Sequence, residues 1–181
     1  MGKLIMNEPS TFVITGPECT GKTTLAKGLA EHFSNPWIPE YARDYIQNLS
    51  RPYTYQDIEH IAGIQISQLK EFQEKAKTLL FVDTFLIITK IWFDVVYSHY
   101  PKWIDEALKN MNIDLFFLCY PDLKWAPDKT RENGGEMRMI LFERYEDELK
   151  RLQQDYVLIK GNERIETAIE EVSNYLKRKK L

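Results

Sequence analysis

Short apolar runs alternate along this chain with longer stretches of helical periodicity. The run "TFVIT" (11–15) reads as a strand, and Leu25, Leu29 and Phe33 recur behind it at helical spacing. "WIPEY" (37–41) reads as extended because Pro39 disfavours helix at Ile38, and "ARDYIQNL" then turns helical. Thr54 is placed to cap a long helix reaching about residue 76, with Ile58, Ile61, Ala62, Gln65, Ile66, Leu69 and Phe72 on one face. "LLFVD" (79–83) is a buried strand, and "FLIITKIWFDVVYSHY" a strongly apolar helix. "WIDEALKN" is a shorter helix, and "DLFFLC" (114–119) a fourth strand. A polar loop, a charged helix to about Asp155, a fifth strand "YVLI" (156–159) and a last helix from near Glu163 complete the pattern.

Strands that alternate with helices, most of them apolar on both faces, predict an α/β fold with a parallel sheet covered on both sides. No repeat or linker divides the chain, so residues 1–181 are expected to form a single domain. In such sheets ligands bind at the carboxyl ends of the strands. Every motif below falls there.

The net charge of −3 and pI near 5.7 argue against a nucleic-acid partner. The basic run "LKRKK" (176–180) reads as a solvated helix end. Cys19 and Cys119 lie far apart on different elements, which fits a reducing cytoplasm better than a disulfide framework. Neither a signal peptide nor an apolar span of membrane length is visible, so a cytoplasmic protein without a membrane partner is expected.

The chemistry begins at "GPECTGKT", Gly16, Pro17, Glu18, Cys19, Thr20, Gly21, Lys22 and Thr23, with Thr24 behind it. This fits the phosphate-binding pattern G-x-x-x-x-G-K-[ST] between a strand and a helix. The glycines let successive N–H groups point inward and form an anion nest. Lys22 would reach the β- and γ-phosphates of a nucleoside triphosphate, and the Thr23 hydroxyl would ligate Mg²⁺. Asp83 closes an apolar strand, the usual place for a second metal-holding group. A helix-capping role is the alternative for that carboxylate.

Phosphate loops serve kinases, switches and motors alike, so the reaction must be read elsewhere. Glu40 and Arg43, in "EYAR" at the end of the second strand, suit a kinase. A carboxylate can take the proton of an acceptor hydroxyl. An arginine three residues on would face the same cleft and hold the carboxylate, the acceptor or the transferring phosphoryl group. The loop "PDLKWAPDKTRENGGEMR", about residues 121–138, places Arg131 and Arg138 around two glycines, as in a lid that excludes water and supplies charge. Trp37, Tyr41, Tyr45, Phe85 and Trp92 crowd the region expected for the acceptor and would suit a flat nucleoside ring, although most rings in such a chain are core.

Together "GPECTGKTTLA", "PEYARDY", "DIEHIAGIQ", "FVDT", "DLKWAPDKTR" and "IKGNERIETAI" resemble the ribosylnicotinamide kinase domain of the NadR type, over nearly the whole chain. That family is a group of P-loop nucleoside kinases often filed among AAA-like ATPases. The resemblance implies a three-layer P-loop NTPase fold with a five-stranded parallel sheet flanked by helices. It also implies Mg²⁺- and ATP-dependent phosphorylation of nicotinamide riboside at its 5′-hydroxyl, a step of NAD biosynthesis. Under it Glu40 and Arg43 match the base and arginine of related nucleoside kinases, with Asp83 the other candidate base. Arg131 matches a lid arginine, and Arg164 in "GNER" falls where ATP's adenine is usually held.

Two departures stand out. The family commonly carries a nucleotidyltransferase domain, for which 181 residues leave no room, so adenylyl transfer and repressor roles are not expected. Some members also place Trp directly before the "EY" pair, where this chain has Pro39 and the nearest Trp is Trp37. A kinase for another hydroxyl compound, a non-catalytic nucleotide switch and an AAA-type motor are the competing readings.

Overall fold

The computed structural model describes residues 8–127 and 131–179. Residues 1–7, residues 128–130 of the expected lid loop, and the last two residues, which include the end of the basic run, lie outside them.

The elements follow the alternation expected from the sequence. β1 (Ser10–Thr15) leads into α1 (Lys22–Phe33), β2 (Trp37–Ile38) into α2 (Tyr41–Gln47) and α3 (Tyr55–Lys75), and β3 (Leu79–Asp83) into α4 (Leu86–Tyr97) and α5 (Trp103–Lys109). β4 (Leu115–Cys119), α6 (Met137–Arg151), β5 (Tyr156–Ile159) and α7 (Arg164–Lys179) complete the fold. All five strands are parallel, in the order β2-β3-β1-β4-β5.

Strand alternation divides the core into two layers. Val13, Leu80, Val82, Phe116 and Leu118 face α3, α4, α5 and α6. Phe12, Ile14, Phe81 and Phe117 point the other way, onto Leu25 and Leu29 of α1 and Ala168 and Val172 of α7. Phe12 stacks on Phe81 at 5.6 Å and Phe117 at 6.2 Å, joining the three central strands by their rings. At about 25 cal/mol per Å² of apolar surface buried, such two-sided burial is what holds a parallel sheet.

Three boundaries differ from the sequence expectation. α6 stops at Arg151 rather than near Asp155, because Gln153 takes a left-handed φ of 54° and turns the chain into β5. β4 begins after Asp114, whose carboxylate accepts the Thr11 N–H at 2.7 Å and so ends the preceding turn. β2 is two residues long, since Pro39 follows it.

Thr54 does cap α3, through a reciprocal arrangement with Asp57. The main-chain N–H and the hydroxyl of Thr54 donate to Asp57 Oδ2 at 2.7 and 2.8 Å. Arg51 and Tyr45 also donate to that carboxylate, which holds the corner between α2 and α3 rigid. Those hydrogen bonds, with the Arg51 guanidinium foremost, hold Asp57 well below the usual carboxylate range.

β1 sits between β3 and β4, so the chain leaves it toward one side of the sheet and later crosses to the other. The crevice outside the carboxyl end of β1 is therefore the topological switch point. Among the described residues no helix is long and apolar enough to cross a membrane.

Candidate active site

The loop that leaves β1 into this crevice is shaped by close approach. Gly16 has a φ of 134°, and a Cβ there would lie 2.6 Å from the carbonyl oxygen of Cys119. Only glycine fits between the loop and the end of β4. Gly21, at φ 78°, is the N-cap of α1, and its carbonyl accepts the Leu25 N–H at 3.0 Å. Cys19 and Thr84 are held at φ 57° and 68°, a strained geometry for side-chain-bearing residues that clusters at functional sites. Pro17 supplies a carbonyl that accepts from Thr20 Oγ1 at 2.9 Å and from Lys22 Nζ at 2.8 Å.

The register of β1 on β3 sets Ile14 beside Asp83. That brings Thr23, at the start of α1, onto the end of β3, and its hydroxyl donates to Asp83 Oδ2 at 2.5 Å. The other oxygen, Asp83 Oδ1, is buried with no hydrogen-bond partner. Burial pushes the Asp83 carboxyl up to about 6 despite the Thr23 hydrogen bond, and the charge of Glu40 adds to the rise. An orphaned buried oxygen beside a threonine hydroxyl fits a hard divalent cation, which keeps waters and phosphate oxygens as its other ligands. Among the described residues no cluster of three or more His, Cys, Asp or Glu could hold a metal by itself.

A cavity of about 260 Å³ opens above this floor. The phosphate loop forms one wall, with Gly16, Glu18, Cys19, Thr20, Gly21, Lys22, Thr23 and Thr24 lining it. Glu40, the N-cap of α2, and Arg43 one turn on line the same cavity, with Glu40 Oε2 3.7 Å from Arg43 Nε. The far wall comes from α3 and α4, including Gln65, Thr89 and Trp92, with Tyr53 from the loop before α3. Arg131 and Glu132 reach in from the lid segment, and Tyr145 from α6. Arg131 also donates to the carbonyl of Ala126.

Other expected residues stand elsewhere. Arg138 does not line the cavity. It is 7% exposed, and its guanidinium donates to the carbonyls of Glu18 at 3.3 Å, Cys19 at 3.0 Å and Leu123 at 2.9 Å, with the Trp125 ring 5.8 Å away. It braces the phosphate loop from behind. Arg164 is used similarly: it donates to the carbonyls of Thr20, Ile159, Tyr120 and Gly161 and pairs with Asp122. Both guanidiniums are engaged by these carbonyls, and that of Arg164 also by Asp122, and neither lines the cavity.

The aromatic candidates divide by strand direction. Trp37 and Ile38 are adjacent in β2, so they face opposite layers. Ile38 packs toward α3 and α4, whereas Trp37 lies with the α1 layer and has Lys27 Nζ 5.8 Å from its ring. Tyr41 meets His60 at 3.2 Å, and Tyr45 donates to Asp57 at 2.8 Å, both outside the cavity. Phe85 is core. Of the expected rings, Trp92 is the one in the cavity wall.

Several lining residues were absent from the sequence expectation. Gln65 and Thr89 are 5% and 1% exposed, and the Thr89 hydroxyl donates to Gln65 Oε1 at 2.7 Å. A glutamine within the apolar stripe of α3 was the available signal. Tyr53 sits in an irregular loop, where no periodicity marks it. Glu18, expected only for its main chain, accepts hydrogen bonds from the lid through its carboxylate.

Similar proteins share this architecture. The trifunctional NAD biosynthesis/regulator protein NadR of Salmonella typhimurium is 26% identical over 138 residues, which is 74% of this chain and 33% of that protein. The chain thus spans about a third of the length of the curated relative it matches. A crystal structure of a NadR protein in complex with NR superposes with a TM-score of 0.77 at 22% identity, over 94% of this chain and 52% of that one. A deoxyadenosine kinase from M. mycoides superposes with a TM-score of 0.62 at 16% identity, over 93% and 99% of the two chains. The AAA domain family model matches residues 11–165, and this chain, with its phosphate loop and five-stranded parallel sheet, belongs to that family.

Proposed function

We propose that this protein is a kinase that transfers the γ-phosphoryl group of ATP to a hydroxyl of a nucleoside, with nicotinamide riboside the leading acceptor. The observation that supports it is the placement of Glu40 and Arg43 in the same cavity as Lys22. A carboxylate there is suited to take the proton of an acceptor hydroxyl.

In this reading the nest of Gly16 to Thr23 holds the β- and γ-phosphates, and Lys22 leaves the Pro17 carbonyl to pair with them. The Thr23 hydroxyl and Asp83 would hold Mg²⁺, which would supply charge neutralisation at the phosphate oxygens. Glu40 accepts the proton of the acceptor hydroxyl as it attacks. Arg43, 3.7 Å from Glu40, orients that carboxylate and stabilises the charge spreading over the transferred group. Arg131, on the lid, adds a second cation and helps exclude water that would otherwise take the phosphoryl group.

The acceptor end supports a flat, cationic ring. Trp92 and Tyr53 bring their rings to the cavity wall, and Glu40 and Glu132 line the same space. A pyridinium nucleoside matches that combination better than a neutral base. Wild-type protein mixed with Mg²⁺ and ATP should release ADP in step with formation of nicotinamide mononucleotide. Nucleotide binding without acceptor-dependent turnover would instead favour a switch.

A further inference from the structure

Tyr53 stands where the acceptor wall, the lid and the phosphate loop meet. Its hydroxyl accepts a hydrogen bond from Trp92 Nε1–H at 3.2 Å and donates one to Glu132 Oε2 at 3.0 Å. Its ring packs edge-on against Trp92, with centroids 4.9 Å apart and planes at 72°. From Glu132 the series continues. The main-chain N–H groups of Glu132 and Asn133 donate to the Glu18 carboxylate at 3.3 and 3.1 Å, and Asn133 Nδ2 donates at 3.3 Å. All five residues line the one cavity.

We infer that Tyr53 is a positioning residue that ties the lid segment 131–136 to the acceptor wall, so that seating of the lid depends on the arrangement of Trp92 and Tyr53. The inference rests on the kinase reading for its purpose but not for its geometry. A phenol has one proton to give, and here it goes to the lid carboxylate while an oxygen lone pair receives the indole N–H. A flat ring laid against Trp92 bears on the same contact. The base of Tyr53 does not yield, because Arg51 and Thr54 on either side are both bound to Asp57. The phosphate end is engaged too, since the lid's other anchor is a side chain of the phosphate loop. The closed lid is thereby linked to both substrates, which is what a kinase needs to avoid spending ATP on water.

The test uses the full chain with Mg²⁺ and a non-hydrolysable ATP analogue, and reads hydrogen exchange of the amides of residues 131–136. Tyr53→Phe keeps the ring and removes both hydrogen bonds. Lid amides should then exchange about 10-fold faster, the size of effect expected from losing a hydrogen bond to a charged group. KM for the acceptor should rise more than KM for ATP, and the ratio of acceptor-independent hydrolysis to transfer should increase. Glu132→Gln, which keeps an accepting oxygen but loses the charge, should give lid exchange between wild type and Glu132→Ala, and Glu132→Ala should reproduce the exchange of Tyr53→Phe. The double variant Tyr53→Phe/Glu132→Ala should be no worse than either single one. Unchanged lid exchange in Tyr53→Phe and Glu132→Ala, or effects of the two that add, would overturn the proposal. Failure of the kinase reading shows separately, as wild-type protein that transfers no phosphate while the exchange comparison still decides the role of Tyr53.

Discussion

The hydroxyl of Thr23 donates to Asp83 Oδ2 at 2.5 Å and leaves Asp83 Oδ1 buried without a partner. In the proposed reading that carboxylate would serve two states. Without metal it is a buried charge held by a single hydrogen bond. With Mg²⁺ bound, the free oxygen would face a cation.

A stability signature follows from that burial. The Asp83 carboxyl is raised from 3.8 to about 6, so its neutral form is favoured in the folded protein. The contribution of Asp83 to metal-free stability is then greatest below pH 4, falls as pH rises through 6, and levels off above it. Two units correspond to roughly 2–3 kcal/mol by pH 7. Urea unfolding of the metal-free Asp83→Asn variant should lack this loss and exceed wild type at pH 7, while the variant loses Mg²⁺-dependent nucleotide affinity. A wild-type stability that does not fall between pH 4 and 7 relative to the variant would contradict this account of Asp83.

Glu40→Gln keeps the size of the side chain and removes its basicity. Nucleotide affinity should be retained, and kcat should fall by about 10²–10⁴, the usual worth of a positioned base. Steady-state kinetics beside a calorimetric titration with the ATP analogue separate the two. An unchanged kcat would take Glu40 out of the base role.

Arg138→Met should act on the shape of the loop rather than on the chemical step. It leaves the carbonyls of Glu18, Cys19 and Leu123 without their donor. Since hydrogen bonds to a charged group are worth about 1.5–3 kcal/mol, a loss of roughly 3 kcal/mol in stability is expected, with weaker ATP binding. Full stability in thermal and denaturant unfolding would show that the brace is idle.

The two tryptophans give an internal contrast. Trp92→Leu should raise KM for the acceptor at least about 10-fold, by loss of an aromatic face in the cavity wall. Trp37→Leu should cost stability and leave that KM within about two-fold, because its ring packs on the α1 layer. Equal effects on KM would refute the assignment of the acceptor end to α3 and α4.

That contrast also shows where sequence reasoning reached and where it stopped. Gly16 to Thr23, Asp83 and Glu40 could be placed because each sits at the end of a strand. In a parallel sheet all strand ends open into one crevice, so backbone order alone gathers them. Side-chain direction is another matter. Trp37 and Ile38 differ by one step in a two-residue strand, and that step decides which layer each faces. The direction of Arg138 depended on carbonyls 15 to 120 residues away, which no local pattern encodes. Tyr53 lies in a loop without periodicity, and its role arises from partners on α4 and the lid.

The most direct measurement is a coupled count of products from the wild-type protein. With Mg²⁺, ATP and nicotinamide riboside, mass spectrometry should find one nucleoside monophosphate for each ADP released, and little ADP when the riboside is omitted. ADP formed at the same rate with and without riboside, or none formed with any member of a nucleoside panel, would contradict the assignment of Glu40 and Arg43 to phosphoryl transfer.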